Sequence, residues 1–486
     1  MNKPNILLIH ADQHRQDCIG CYGNTQVKTP AIDAIASDGV RYLNSFCPFP
    51  ICTPSRYSLL SGLYVNQHLG GDNHCTLPDG LPTFPKILRD NGYSTACVGK
   101  MHFTPTYLDV GFDYMKLCEQ HGPGRLDDDY HRDLKQNGLF DWLDTIDQMN
   151  EHRKNAPEFY FQSLGALESD LPEEWHSTSW IGNRACEVLE GWGKGGNLLM
   201  AGFVKPHHPF DPPHPYSEMY DPECIELLPG YTDVAIECDT PINSFYARSL
   251  VTEASIKRCQ AMYYGTISHI DAQIQRMVDI LKRKGLYDDC MIIYTSDHGD
   301  YMGYHHMVGK INHLYEPLAK VPLIVKYPGN TGTDNISSQM INNVDVTATI
   351  LGITGNHKTH SMTGYDFSMP ENDAEYVFAE TGSGYMVRSR RYKLLYYNKR
   401  ESLFFDLEND PYELNNLYYE PAYQSLKCEH KNALSDWILF RCPRPVNLNE
   451  KAAVHAPNAM TADSGHRDDM LAFIAKGAVE VPEKYR

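Results

Sequence analysis

Residues 291–300 read MIIYTSDHGD. The first five look like a buried strand. The last five carry Asp297, His298 and Asp300, side chains that bind metals or move protons. An open parallel sheet presents such clusters beyond the carboxyl ends of its strands, where ligands bind. The same reading fits elsewhere. Asn5–Ile9 (NILLI) runs into His10, Asp12 and Gln13. Ser94–Val98 (STACV) runs into Gly99, Lys100 and His102. Asn197–Val204 (NLLMAGFV) runs into Lys205, Pro206, His207 and His208. Val321–Val325 is a further apolar run, ending at Lys326 and Tyr327.

Helical patterns lie between these runs. One spans about Ile256 to Lys284, with Ile267, Ile270, Ile274, Met277, Val278 and Leu281 near helical spacing. Another is TFPKILRDNGY, with Gly92 as its C-cap. Strands alternating with helices predict an α/β fold, a large mostly parallel sheet sandwiched by helices. The polar clusters then converge on one edge of that sheet. Residues 113–180 are rich in charges and aromatics without strand rhythm, and read as insertions or helices over the site. Near residue 370 the character changes: YMVRSRRYKLLYYN and SLFFDLENDPYELNNL look like antiparallel strands. The expected division is a catalytic α/β domain over 1–370 and a smaller α+β subdomain over 371–486, with an antiparallel sheet and an irregular tail.

The chain has 486 residues, 42% hydrophobic and 22% charged, enough for a sizeable core. A net charge of -19 argues against a general nucleic-acid or anionic-membrane surface. Any anion must therefore meet a local basic pocket. No apolar run reaches the length of a membrane span. The opening MNKPNILLIHADQ is too short in its apolar part for a signal peptide. A cytoplasmic location is expected for the sequence as given, or a periplasmic or secreted one if a leader was removed. Fourteen scattered cysteines read as reduced, mostly buried thiols. Cys18 and Cys21 form a lone CxxC without a second pair.

Residues 51–62, ICTPSRYSLLSG, need a separate explanation. Thr53 suits an N-cap and Pro54 the first helical position. Cys52 then sits at a helix start, where backbone N–H groups favour negative charge. Arg56 follows four residues later on roughly the same face. A lone cysteine of this kind is ordinarily a buried thiol.

In company it reads differently. Cys52-Thr53-Pro54-Ser55-Arg56, continued by Leu60, Ser61 and Gly62, resembles the C-x-P-S-R signature of the formylglycine-dependent sulfatases, of the alkaline phosphatase-like superfamily. ADQ at 11–13, GCYG at 20–23, GKMH at 99–102, KPHHP at 205–209, SDHGD at 296–300 and GK at 309–310 fall in that family's order. The resemblance implies a sulfatase hydrolysing a sulfate ester, small or oligosaccharide, with a carbohydrate sulfate expected on family grounds. It implies oxidation of Cys52 to formylglycine by a formylglycine-generating enzyme. One hydroxyl of the hydrated aldehyde attacks sulfur; the other then loses its proton, and the hemiacetal collapses to expel sulfate.

The same resemblance puts a divalent metal on Asp12, Gln13, Asp297 and His298. Calcium is favoured, with magnesium, manganese or zinc as alternatives. Gln13 stands where the family commonly has a second aspartate, and His298 where it often has asparagine. By position, Arg56 orients the diol, Lys100 and Lys310 grip the sulfate, His102 assists the diol, and His207 protonates the leaving group. Lys205 and His305 are candidate substrate contacts. Two alternatives remain: a phosphonate monoester or phosphodiester hydrolase with similar Asp-Gln and Asp-His pairs, and a binder that never gains the aldehyde.

Overall fold

The computed structural model describes residues 3–78, 80–240, 245–310, 313–329, 335–442 and 464–486. Eight strands form one sheet: β1 (Asn5–Ala11), β2 (Val40–Phe46), β3 (Ser94–Gly99), β4 (Tyr114–Leu117), β5 (Asn197–Phe203), β6 (Cys290–Ser296), β7 (Leu323–Lys326) and β8 (Asn335–Asn342). Their order is β4-β3-β5-β1-β6-β7-β2-β8. All neighbours run parallel except where β7 lies antiparallel between β6 and β2. The fold is thus the mostly parallel α/β sheet that the strand-and-cluster pattern predicts.

Period-two alternation sorts β1 between two cores. Leu7, Ile9 and Ala11 face one cluster with Ile270, Ile274, Met277 and Leu281 of the helix Glu253–Arg283. Ile6 and Leu8 face the other, with Tyr57, Leu59 and Leu60 of the helix Cys52–Ser61. Every residue of that second helix is buried, so it shows no amphipathic stripe. It also starts two residues earlier than the capping pattern predicts. Ile51 is the N-cap and Cys52 is already helical. Thr53 is therefore no cap; its hydroxyl donates to the His102 carbonyl at 2.9 Å.

The four strands that end in reactive residues stand side by side, as β3-β5-β1-β6. Gly99 and Gly202 permit the close approach of β3 and β5 there. A Cβ on Gly99 would lie 2.0 Å from the Gly202 carbonyl oxygen, and one on Gly202 would lie 2.2 Å from that of Lys100. The Lys100 N–H instead donates to the Gly202 carbonyl at 2.7 Å, which seats the residue at the sheet's edge.

Two short-range expectations are corrected. Residues 113–180 are not wholly without strand: Tyr114–Leu117 supplies edge strand β4. The tail is not wholly irregular. Residues 443–463 lie outside the described residues, but Ser464–Gly477 is a helix. Tyr485 beyond it packs on Trp142, with ring centroids 5.6 Å apart.

A second, four-stranded antiparallel sheet has the order β12-β11-β10-β9, formed by β9 (Val377–Thr381), β10 (Gly384–Arg388), β11 (Tyr392–Tyr397) and β12 (Leu403–Asp406). Glu380 of β9 accepts from the Asn66 N–H at 3.1 Å and so reaches the first body of the chain. Burial pushes its carboxyl up to about 7, against the lowering effect of backbone N–H groups. The folded state therefore keeps a proton that the unfolded chain releases nearer its ordinary value of 4.5. This contribution is complete below that value and is lost as pH rises through about 7. Glu380→Gln has no such proton to lose. Its unfolding temperature should gain on the parent between pH 5 and pH 8, measured by calorimetry; a constant difference would refute the buried acid.

Candidate active site

Arg56 organises the carboxyl edge. Its Nε donates to Asp297 Oδ2 at 2.9 Å and one Nη to Asp12 Oδ2 at 3.1 Å, while the other Nη reaches the Lys100 carbonyl at 2.6 Å. One guanidinium on the Cys52 helix thus ties together the ends of β1, β3 and β6. All three charged groups are at most 1% exposed. Lys100 Nζ adds a second contact to Asp12 Oδ2, at 2.8 Å. Burial pushes the Asp12 carboxyl up, but Lys100, Lys310 and Arg56 outweigh it and hold it well below the usual carboxylate range.

The other carboxylate oxygens face the cysteine. Cys52 Sγ lies 3.6 Å from Asp12 Oδ1 and 3.3 Å from His298 Nε2. Asp297 Oδ1 accepts from the Gln13 and His298 N–H groups, each at 3.0 Å. One ligand atom from each of Asp12, Cys52, Asp297 and His298 lies within 4.8 Å of the rest. His298 Nδ1 is 3.0 Å from the Gly299 carbonyl, which makes Nδ1 the protonated nitrogen and leaves the Nε2 lone pair for the centre. Burial pushes this imidazole down to about 4, so it is neutral at pH 7.

Gln13 stands in the left-handed region, with φ 65°. Its amide nitrogen donates to Asp300 Oδ2 at 2.5 Å. Its Oε1 is buried without a hydrogen-bond partner among the described residues. A buried, unsatisfied amide oxygen on the residue next to Asp12, whose N–H already meets Asp297, suits a divalent cation. The donor set therefore fits a metal.

The positive groups gather opposite. Lys310 Nζ lies 2.6 Å from Cys52 Sγ, 3.0 Å from His298 Nε2 and 3.2 Å from His207 Nε2. Arg56, Lys100 and Lys310 outnumber the two carboxylates by one, so this pocket is locally positive within a chain of net charge -19. Burial, and then Asp12, push the Cys52 thiol up to about 11. At neutral pH it is a protonated thiol and a poor nucleophile as it stands. His102, with φ 59°, is buried beside Lys100, and its Nδ1 has no hydrogen-bond partner among the described residues.

Two sequence candidates lie elsewhere. Lys205 is spent within its own loop, on the Asp211 carboxylate and on the Pro209 carbonyl at 2.8 Å. His305 is fully buried, and its two ring nitrogens meet Asp239 and the Tyr412 carbonyl, each at 2.8 Å. The structure thus engages the nitrogens of both with partners away from the Cys52 cluster. Sequence reasoning missed Gln120, whose Oε1 accepts from Lys100 Nζ at 3.1 Å. It lies in the segment without rhythm or motif, and only the position of β4 reveals its proximity.

The sulfatase family model matches residues 4–356, and a model described as "N-sulphoglucosamine sulphohydrolase, C-terminal" matches residues 303–438. The chain belongs to the sulfatase family, hydrolases of sulfate esters. It is 28% identical to an arylsulfatase of Clostridium perfringens over 87% of this chain and 92% of that one. It is 26% identical to an N-acetylglucosamine-6-O-sulfatase of Bacteroides thetaiotaomicron, over 89% and 86%. The fold is similar to that of the phosphonate monoester hydrolase of Agrobacterium radiobacter, with TM-score 0.76 and 23% identity, over 93% of this chain and 99% of that one. No helix among the described residues is long and apolar enough to cross a membrane.

If Arg56 holds the two carboxylates together, Arg56→Met leaves a buried pair of like charges. Breaking buried ion pairs on one side costs about 3–5 kcal/mol. The variant should melt well below the parent, and a millimolar divalent cation should restore part of the loss, because it binds only the folded pair. Unchanged melting would contradict the arrangement.

Proposed function

We propose that the chain hydrolyses a sulfate ester of a carbohydrate, with Cys52 oxidised to formylglycine and a divalent cation at its side. The observation that carries this reading is the placement of Cys52, whose Sγ lies 2.6 Å from Lys310 Nζ, 3.3 Å from His298 Nε2 and 3.6 Å from Asp12 Oδ1. A cysteine buried at a helix start beside Lys310, with Arg56 and Lys100 on the neighbouring Asp12, sits where an anion would bind rather than where a core thiol packs. It makes sense as the precursor of an oxygen nucleophile, which the hydrated aldehyde supplies.

Asp12, Gln13 Oε1, Asp297 and His298 Nε2 would hold the cation, with calcium favoured and magnesium, manganese or zinc as alternatives. When bound it supplies positive charge to the sulfate and lowers the proton affinity of nearby oxygens. Lys100 and Lys310 grip the anionic oxygens. Arg56 orients residue 52 while keeping both aspartates ionised. His207 and Lys310 form the proton source for the leaving oxygen. In the resting state His207 Nδ1 is 2.7 Å from the His208 carbonyl, so Nδ1 carries the proton and Nε2 accepts from Lys310. For His207 to act as the expected acid, its Nε2 must first take a proton, and Lys310 is the neighbouring donor.

A carbohydrate leaving group is supported by relatives such as the N-acetylglucosamine-6-O-sulfatase. The second reading is a phosphonate or phosphodiester hydrolase, favoured by Gln13 and His298 in the metal set. Lys100 and His102 weigh for sulfate, as the pair that the resemblance assigns to sulfatases. Residues 1–370 are proposed as the catalytic domain and 371–486 as a subdomain shaping the leaving-group side.

The test is direct. Protein matured in its own host should lose about 18 Da on the peptide containing Cys52. It should turn over sugar and aryl sulfates faster than phenyl phosphonate esters, and Cys52→Ala should fold but be inactive. An unmodified thiol in active protein would refute the aldehyde; faster phosphonate turnover would reverse the substrate order.

A further inference from the structure

The His208 carbonyl oxygen is a meeting point. It accepts from His207 Nδ1 at 2.7 Å, from Gln120 Nε2 at 2.9 Å and from Gln148 Nε2 at 2.9 Å. The first donor is the histidine facing Lys310. The other two come from the segment over the site, Gln120 from the loop after β4 and Gln148 from the helix Trp142–Gln148. All of these side chains are at most 8% exposed.

The hub is itself anchored. Gln120 Nε2 also donates to Asp144 Oδ1 at 2.8 Å, and Asp144 is held by Arg125. The His208 ring meets Asp147 Oδ2 at 2.5 Å through Nδ1, and Tyr160 and Gln148 donate to the same carboxylate. Burial pushes Asp147 up, but His208 outweighs it and holds it at about 2. The His207 and His208 rings lie 4.2 Å apart, so fixing one restrains the other.

A neutral imidazole carries its proton on one nitrogen only, and the bond made by the other nitrogen decides which. A rigid acceptor at Nδ1 and an ammonium donor at Nε2 demand the same tautomer here. We propose that Gln120 and Gln148 are positioning residues that lock His207 as its Nδ1–H tautomer, which keeps the Nε2 lone pair turned to Lys310. Through its Oε1, Gln120 ties that lock to Lys100, so the group gripping the anion and the group facing the leaving oxygen share one amide. This deepens the sulfatase reading and rests on it for its catalytic consequence, though the tautomer itself does not.

The experiment therefore has two arms. Protein labelled with 15N-histidine is examined at neutral pH by long-range 1H–15N correlation, the His207 signals being those lost in His207→Gln. The parent should show a protonated Nδ1 and a bare Nε2. Gln120→Leu combined with Gln148→Leu should move His207 toward a mixed or reversed tautomer. Gln120→Glu, which keeps an acceptor for Lys100 but loses the donor to His208, should shift it part of the way and guards against misfolding of the double variant. In the second arm, the double variant should lose about 30-fold on an alkyl sulfate, whose leaving oxygen needs the proton, and under about threefold on 4-nitrophenyl sulfate. A parent with Nε2 protonated, or an unmoved tautomer in every variant, overturns the proposal. Equal losses on both esters reduce the glutamines to scaffolding and overturn it as well. If the parent hydrolyses neither ester, the functional reading fails while the first arm still decides the tautomer.

Discussion

One guanidinium holds the site together. Asp12 and Asp297 follow different strands, yet their outer oxygens share Arg56, at 3.1 and 2.9 Å. Two buried carboxylates this close would otherwise repel and take up protons. With Arg56 and Lys100 on one side, both stay ionised and turn their remaining oxygens toward Cys52 and His298. The arginine is carried by a helix buried on all sides, so it has little freedom to give way. The neighbouring strands β3-β5-β1-β6 bring the partners within its reach, and the glycine pair Gly99 and Gly202 draws in the last of them.

The electrostatics follow from that clamp. The chain as a whole repels anions, and a sulfate ester is an anion. The excess of positive charge at the strand ends is local and buried, where screening by salt is weak and each charge counts for more. The same burial keeps the thiol and the imidazoles neutral. On the proposed reading the centre separates its duties: basic side chains for binding, imidazole rings for proton handling, and a side chain whose reactivity awaits a chemical change.

Much of this is legible in the sequence because strand ends carry their chemistry in contiguous letters. NILLIHADQ, STACVGKMH, NLLMAGFVKPHH and MIIYTSDHGD each give a strand and its reactive tip in one reading. What the letters do not give is a contact between segments. Gln120, Asp144 and Gln148 carry no motif, and they matter only because β4 places their segment beside β3. Lys205 and His305 show the same limit from the other side. Each sits in a motif-rich loop, but Asp211 and Asp239, distant or unremarkable in sequence, take their nitrogens. Thr53 looks like a cap, yet the helix begins at Cys52 and the hydroxyl donates to the His102 carbonyl instead.

The central claim is that the clamp arranges one cation site and one anion site around residue 52. It is tested most directly by an electron-density map of the matured protein crystallised with a divalent cation and a non-hydrolysable sulfate analogue. The account predicts the cation among Asp12, Gln13, Asp297 and His298, with the anion held by Lys100 and Lys310 against an oxygen-bearing residue 52. A cation bound elsewhere, or an anion that avoids both lysines, would contradict it.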